Sequence, residues 1–73
     1  MITLKLAAEA IGRRLRELRG FYRTQNEVAR ETGISVASLS LFETGQRVPG
    51  GEIAAKLAAF YNTSTDYIFL GKN

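Results

Sequence analysis

The chain has 73 residues, enough for one domain, spanning residues 1–73, with a small core. It contains neither cysteine nor histidine, so disulfides, thiolate sites and the usual zinc sites are excluded, and a reduced, cytoplasmic setting is expected. The formal net charge of +3 suits a polyanionic partner. No apolar run approaches the ~20 residues that span a bilayer, and the charged N-terminal stretch does not resemble a secretory signal. We therefore expect no membrane association.

The positive charge is concentrated near the N-terminus. Residues 1–20 carry five cations against two carboxylates, whereas cations and carboxylates balance in the remainder. Two interpretations remain open. Either these cations lie on a solvated helix face, with Arg13 and Glu17 in i,i+4 contact, or they face the phosphates of a nucleic acid.

The first predicted helix covers residues 4–19. Apolar residues recur there in steps of three and four, which places them on one face of a helix. They are Leu4, Ala8, Ile11, Leu15 and Leu18. Thr3 is the expected N-cap, and Gly20 is expected to end the helix. Phe21 and Tyr22 then form a short connection, and we expect both rings to fold back onto the core.

The second and third predicted helices are separated by one tight turn. Thr24 begins the second helix with Glu27 three residues later, which is the pattern of a capping box. Gly33 is expected to take the left-handed conformation that ends a helix, and Ser35 to cap the next one. The inward residues are Val28, Ala29, Ile34, Leu39 and Phe42. The exposed side of the third helix is predicted to carry Val36, Ala37, Ser40 and Leu41.

The last third of the chain predicts a loop and two further helices. The Gly/Pro-rich segment 45–51 is the loop. Apolar residues at helical spacing over 53–61 define that helix, and Asn62 can end it. Ser64 or Thr65 is expected to cap a short fifth helix that stops at the following glycine.

Residues 25–43 have the pattern of a helix-turn-helix unit. Two short helices that cross steeply leave little room between them, so the inward position must be small and the turn must accept a positive φ. Ala29 and Gly33 meet these two demands. A second helix held in this way protrudes and can enter the major groove of DNA. The sequence therefore predicts an all-α, five-helix domain built around this unit.

The chain resembles the phage-repressor helix-turn-helix family, the Cro and lambda-repressor type also called XRE, over nearly its whole length. The segments that carry the resemblance are IGRRLRELR from Ile11, TQNEVA from Thr24, GIS from Gly33, LSLFETGQRVP from Leu39, KLA from Lys56 and STDYIFLG from Ser64. The resemblance implies a compact, lambda-repressor-like fold and sequence-specific binding of double-stranded DNA.

The resemblance also implies roles for individual residues. Gln25, beside the cap Thr24, stands where the family contacts a DNA phosphate, and Arg19 and Glu43 match an ion pair between helix 1 and the end of the recognition helix. The remaining implied DNA contacts are Thr24, Ser35, Val36, Ala37, Ser38, Ser40, Leu41, Gln46 and Arg47.

The chain departs from the family pattern in three places. Gly50 and Gly51 stand after Pro49 where the family has a polar cap and an apolar residue, so the fourth helix is expected to start late. The connection before Gln25 is one residue short and places Arg23 where an apolar residue is expected, which leaves the packing of the first two helices open. The reading face is also unusually apolar. Its side chains suit thymine methyl groups, with one or two serine contacts, so specificity is expected to depend on DNA shape and on arginines elsewhere in the chain.

An enzyme is not expected, because no pair of groups has a spacing suited to acid/base or nucleophilic chemistry, and no metal ligands or cofactor motif occur. We expect a transcriptional regulator of the repressor kind that occupies a near-palindromic operator as a homodimer, with half-sites about 34 Å apart. The alternative is a small protein-interaction module, such as an antitoxin or an antirepressor partner, with weak or non-specific DNA binding. No effector domain is expected after the last helix.

Dimer contacts are predicted at the end of the chain. The candidates are Tyr67, Phe69 and Leu70. If Tyr67 and Leu70 instead close the core, Phe69 remains as the dimer residue.

Overall fold

The computed structural model describes the backbone of residues 2–72 and the side chains of residues 7–72. Within that part, the chain forms five helices and no strand, as predicted. They are α1 (Ile2–Arg19), α2 (Gln25–Thr32), α3 (Val36–Glu43), α4 (Gly51–Phe60) and α5 (Thr65–Leu70). None of these helices has the length and apolar character needed to cross a bilayer.

Helix α1 begins earlier than predicted. Because it already includes Ile2, Thr3 lies inside the helix and cannot be the N-cap, which requires a non-helical backbone. The apolar face is as expected where side chains are described: Ile11 and Leu15 are buried, and Leu18 packs against the core. The predicted contribution of Leu4 lies outside the described side chains.

The connection between α1 and α2 corrects one prediction. Phe21 is fully exposed and Tyr22 is 79% exposed, so neither ring folds onto the core. The guanidinium carbon of Arg23 occupies that space instead, 5.4 Å from the ring centroid of Phe60 and 5.2 Å from that of Tyr61. A long side chain with an apolar stem and a flat cation can thus replace the expected apolar residue.

Arg23 also joins the end of α1 to the segment that leads into α2 through side-chain hydrogen bonds. Its Nη2 donates to the carbonyl oxygen of Leu18 at 3.1 Å, and its Nε donates to that of Arg19 at 3.4 Å. These carbonyls belong to the last turn of α1, where backbone acceptors lack partners within the helix. Gly20 ends the helix with φ +73°, as predicted.

Helix α4 begins at Gly51, the second of the two glycines, so the predicted late start is wrong. Gly50 adopts an extended conformation and serves as N-cap, and its carbonyl oxygen accepts the first helical hydrogen bond from Ala54 at 2.8 Å. A glycine N-cap is tolerated because this bond needs only the backbone. Asn62 follows α4 with φ +57°, and Ser64 caps α5 through a 3.0 Å bond from the amide of Tyr67.

The helices surround one core to which all five contribute. Its buried members are Ile11, Leu15, Val28, Ile34, Leu39, Phe42, Leu57, Ala58, Tyr61 and Ile68. Arg14 fastens the last helix to the first, because its Nε and Nη2 each donate at 3.0 Å to carbonyl oxygens near the end of α5. Helices α2 and α3 pack against the framework formed by α1, α4 and α5.

The end of α5 differs from the expectation about dimer residues. Phe69 packs against the core, whereas Leu70 is 65% exposed. Tyr67 is half-buried. The interpretation that Leu70 closes the core and Phe69 faces outward is therefore wrong. The reason is that α5 lies with Ile68 pointing into the core, so Phe69 flanks it and Leu70 projects away.

Candidate nucleic-acid interface

The entrance of α2 is fixed by a complete capping box. The hydroxyl oxygen of Thr24 accepts from the amide of Glu27 at 3.1 Å, and Oε1 of Glu27 accepts from the amide of Thr24 at 2.8 Å. The bond from the Thr24 amide to the carboxylate, with the Thr24 hydroxyl beside it, lowers the pKa of Glu27 below its ordinary value. The side chain of Thr24 is therefore engaged within the protein at the end of α2 that sequence analysis assigns to a phosphate.

The turn between α2 and α3 has the geometry that the sequence predicts. Gly33 adopts φ +78°, and its N–H donates to the carbonyl oxygen of Ala29 at 2.8 Å. Ile34 is buried immediately after it. Ser35 then caps α3 by accepting from the amide of Ser38 at 3.1 Å. The chain can reverse this sharply because glycine carries no β-carbon penalty at positive φ.

The wedge between α2 and α3 is filled by apolar side chains. Val28 and Leu39 are almost completely buried, Phe42 is buried, and Ala29 packs against them. Close packing of this kind leaves α3 one orientation relative to α2. Together with Ile34, these four inward residues support the fold, as the sequence indicates.

A glycine that sequence analysis did not single out brings α1 against the end of α3. A β-carbon at Gly12 would lie 2.5 Å from the carbonyl oxygen of Phe42 and 2.7 Å from that of Glu43. Such distances are shorter than any normal contact, so only glycine allows this approach. The sequence contains a signal of this close approach, because Gly12 interrupts a run of residues that otherwise strongly favour a helix.

The last residue of α3 is joined to α1 by an ion pair. Nε of Arg19 donates to Oε2 of Glu43 at 2.8 Å, and Nη2 donates to Oε1 at 2.9 Å. The side chains are only 13% and 4% exposed. The hydrogen bonds to Glu43 raise the pKa of Arg19 above its ordinary value. A two-point contact fixes direction as well as distance, so it orients α3 at its C-terminal end.

Gln25 joins the same cluster. It is half-buried as the first residue of α2, and its Nε2 donates to Oε1 of Glu43 at 3.1 Å. The predicted phosphate contact thus lies beside the ion pair. Nothing in the sequence spacing alone indicates that Gln25 and Glu43 touch.

The exposed face of α3 is narrower than predicted. Val36 and Ala37 are exposed, but Ser40 and Leu41 are half-buried. The following loop folds back over this end of the helix, where the amides of Gln46 and Arg47 donate to the carbonyl oxygen of Leu41 at 2.9 and 3.2 Å. The expectation of four fully outward residues is therefore corrected to two.

Polar groups near the start of α3 are partly engaged with each other. The hydroxyls of Ser35 and Ser38 are 3.0 Å apart and hydrogen-bonded. In the loop after α3, Nε2 of Gln46 donates to the hydroxyl of Thr44 at 3.0 Å. Arg47 is exposed and borders a groove together with these two serines and Lys56, a residue to which sequence analysis assigned no role.

The α1 cations whose side chains are described, from residue 7 onwards, divide into two groups. Arg14 and Arg19 bind protein groups, whereas Arg13 and Arg16 are exposed. The ion pair of Arg19 is the only one within residues 7–72, so the i,i+4 contact between Arg13 and Glu17 is not formed. Part of the positive charge of α1 is thus structural, and part remains exposed.

Comparison with known proteins agrees with this geometry. A family model described as helix-turn-helix matches residues 13–68, from the middle of α1 to α5. No curated protein and no solved structure matches the chain. The match includes the whole α2–α3 unit, the ion pair and the loop after α3. The members of this family are DNA-binding regulatory domains, and it is not a family of enzymes. Because the match covers most of the chain, the protein belongs to the helix-turn-helix family of the phage-repressor, or XRE, type, with a lambda-repressor-like fold that binds double-stranded DNA.

Proposed function

We propose that this protein is a transcriptional repressor that acts in the cytoplasm by occupying a near-palindromic operator as a homodimer. The observation that carries the proposal is the fixation of α3 at both ends. Ser35 caps its start, Glu43 ties its last residue to α1, and buried residues hold its inner face. A helix held in this way presents a constant surface to the major groove.

The proposed contacts divide between bases and phosphates. Val36 and Ala37 are the exposed apolar residues of α3 and suit the methyl groups of thymine. Gln25, at the start of α2, contacts the phosphate backbone of one DNA strand. Arg47 contacts the DNA backbone from the loop after α3. The other residues proposed at the interface are Thr24, Ser35, Ser38, Ser40, Leu41 and Gln46.

The proposed dimer is supported by the end of α5. Leu70 is the most exposed large apolar residue of that helix, and half-buried Tyr67 lies one turn before it. A two-fold axis would bring this surface against its copy, because a symmetric dimer uses the same patch on both chains. Such a dimer presents two α3 helices to successive major-groove turns about 34 Å apart.

Selection of bound duplexes from a random DNA pool, run at two salt concentrations, tests the proposal. We expect enrichment of a near-palindrome with thymine-rich half-sites. Ala37→Glu is the informative variant, because the position is exposed and the added carboxylate would face the groove without disturbing the core. That variant is expected to remain folded and to lose enrichment. If the native chain enriches no sequence, operator reading is refuted, whatever its non-specific affinity.

A second candidate function is suggested by one observation, the exposure of the adjacent rings of Phe21 and Tyr22. Neighbouring exposed aromatic residues are typical of protein contact surfaces. This candidate is a protein-interaction module with weak DNA binding. The salt dependence of binding distinguishes the two functions. DNA affinity falls by about 0.9 log units per log unit of salt for each phosphate contacted, whereas the affinity of an apolar protein contact changes little.

A further inference from the structure

We infer that Glu43, beyond its role in the ion pair, is a positioning residue for DNA binding. It holds the side-chain amide of Gln25 so that the amide presents its second N–H to a DNA phosphate. This inference rests on the proposed function, and it assigns the ion pair a part in DNA affinity as well as in stability.

The orientation of the Gln25 amide follows from the chemistry of its neighbour. The carboxylate of Glu43 can only accept hydrogen bonds, so the nitrogen of the amide must face it and the oxygen must point elsewhere. Oε1 of Glu43 accepts from both Gln25 at 3.1 Å and Arg19 at 2.9 Å. Since the carboxylate is itself fixed by two bonds from Arg19, it provides a rigid anchor for the amide.

The amide nitrogen has one hydrogen left after this contact. A glutamine NH₂ group carries two hydrogens in the plane of the amide, and Glu43 takes one. Gln25 is the first residue of α2, where backbone N–H groups and the helix dipole already favour an anion. The remaining hydrogen and the backbone N–H groups at the start of α2 can therefore donate to the same anion. In a DNA complex, a phosphate oxygen is the natural acceptor.

The charge of Glu43 does not oppose this arrangement. Its side chain is 4% exposed, and the guanidinium of Arg19 neutralises it through both oxygens. A phosphate nearby therefore meets a neutral pair instead of a free carboxylate. An unanchored glutamine would have to give up side-chain rotations on binding DNA, whereas the anchored one has already lost them.

The experiment uses the full chain and the operator found by selection, in a set of duplexes that each carry one neutral methylphosphonate linkage. For the native protein, each weakened duplex marks a contacted phosphate. Gln25→Ala is expected to lose sensitivity at one phosphate of each half-site. Glu43→Gln, which keeps size but allows the amides to reorient, is expected to lose sensitivity at that same phosphate and to weaken operator binding about tenfold. Ile68→Val, a mild core variant far from the interface, serves as the control and should retain every sensitivity.

Three results would overturn the inference. Glu43→Gln could bind the operator as tightly as the native chain. It could bind more weakly while every methylphosphonate sensitivity is retained, which is the behaviour of a purely structural residue. Gln25→Ala could leave the sensitivity profile unchanged, so that there is no contact to position. Each of these results leaves sequence enrichment by the native chain intact and so differs from failure of the proposed function.

A measurement on the native protein removes any dependence on folding of the variants. In NMR spectra, the two side-chain amide hydrogens of Gln25 are expected to be distinct before DNA is added. On addition of operator, one of them should shift downfield as it meets phosphate, while the other, bound to Glu43, should change little. If neither hydrogen shifts on operator binding, the inference is wrong.

Discussion

Gly12 of α1 faces the carbonyl oxygen of Phe42, and a β-carbon at position 12 would lie 2.5 Å from that oxygen. This contact sets how closely α1 approaches the end of α3. The approach in turn places Arg19 within reach of the last residue of α3.

Gly12→Ala is therefore expected to destabilise the fold, although alanine is the better helix former. Moving backbone apart at a packed contact costs about 1–3 kcal/mol, more than the roughly 1 kcal/mol gained in helix propensity. Gly51→Ala is the matched control, because this glycine also lies inside a helix, no atom lies within 4 Å of a β-carbon there, and its φ is not positive. Urea unfolding followed by circular dichroism compares the two. Equal stability of both variants would contradict the close-approach argument.

The complete, flat guanidinium group of Arg23 is expected to be needed for the stability of the fold. It donates to two carbonyl oxygens of α1 and lies over the rings of Phe60 and Tyr61. Arg23→Lys keeps the charge but loses the fork and the flat surface, so we expect a loss of about 1 kcal/mol, and about 2 kcal/mol for Arg23→Ala. Thermal unfolding measures both. If the lysine variant matches the native stability, charge alone accounts for the role of Arg23.

Stability is expected to fall at alkaline pH because of Tyr61. Burial raises the pKa of Tyr61 to about 12, with the carboxylate of Glu43 adding to this effect. The phenol of the unfolded chain ionises near its ordinary pKa of 10.0. The stabilising contribution is therefore full below pH 10 and is lost as the pH rises towards 12, by about 1 kcal/mol at pH 11. Unfolding at pH 9 and pH 11 should show a smaller loss for Tyr61→Phe than for the native chain. Identical losses would exclude this residue as the cause.

Leu70 and Phe69 are expected to respond differently to truncation. Leu70 is exposed, so Leu70→Ser should weaken the proposed dimer and leave monomer stability nearly unchanged. Phe69 packs against the core, so Phe69→Ala should destabilise the monomer, by about 1–3 kcal/mol for a half-buried ring. Sedimentation velocity reports association, and urea unfolding at low concentration reports monomer stability. An unchanged sedimentation profile for Leu70→Ser would remove Leu70 from the interface.

Arg47 is expected to contribute one phosphate contact. Arg47→Ala should lower the slope of log affinity against log salt by about 0.9, because one fewer counterion is released on binding. Lys72→Ala changes the net charge equally but lies beyond α5, outside the proposed interface. Fluorescence anisotropy over a salt series gives both slopes. If both variants shift the slope alike, net charge and not a specific contact is responsible.

The sequence predicted the parts of the fold that depend on local spacing. The capping box of Thr24, the left-handed Gly33 and the cap at Ser35 are each set by a few neighbouring residues, and all three were correct. The late start of α4 was wrong because its first bond needs only the carbonyl of Gly50, which side-chain preference does not reveal. The cap at Thr3 was wrong for a similar reason, since the helix simply begins earlier.

The interface was less predictable because its details depend on contacts between distant residues. Arg19 and Glu43 were paired through resemblance, but the bond from Gln25 to Glu43 joins positions 18 residues apart and needs the assembled fold. Phe21 and Tyr22 were expected inside because aromatic rings usually are, yet Arg23 takes the space that they would fill. The partial burial of Leu41 likewise depends on how the following loop returns.

The exposed residues of α3 and the residues that hold α3 in place are different sets. Val36 and Ala37 make no hydrogen bond through their side chains, while Ser35, Leu39 and Glu43 fix the helix. Substitutions at the two exposed positions should therefore change which DNA is preferred at little cost in folding free energy. Under the proposed assignment of base contacts to these two positions, one or two codon changes would give this chain a new target in an evolving population, and the same property would make it a convenient small scaffold for engineering DNA recognition.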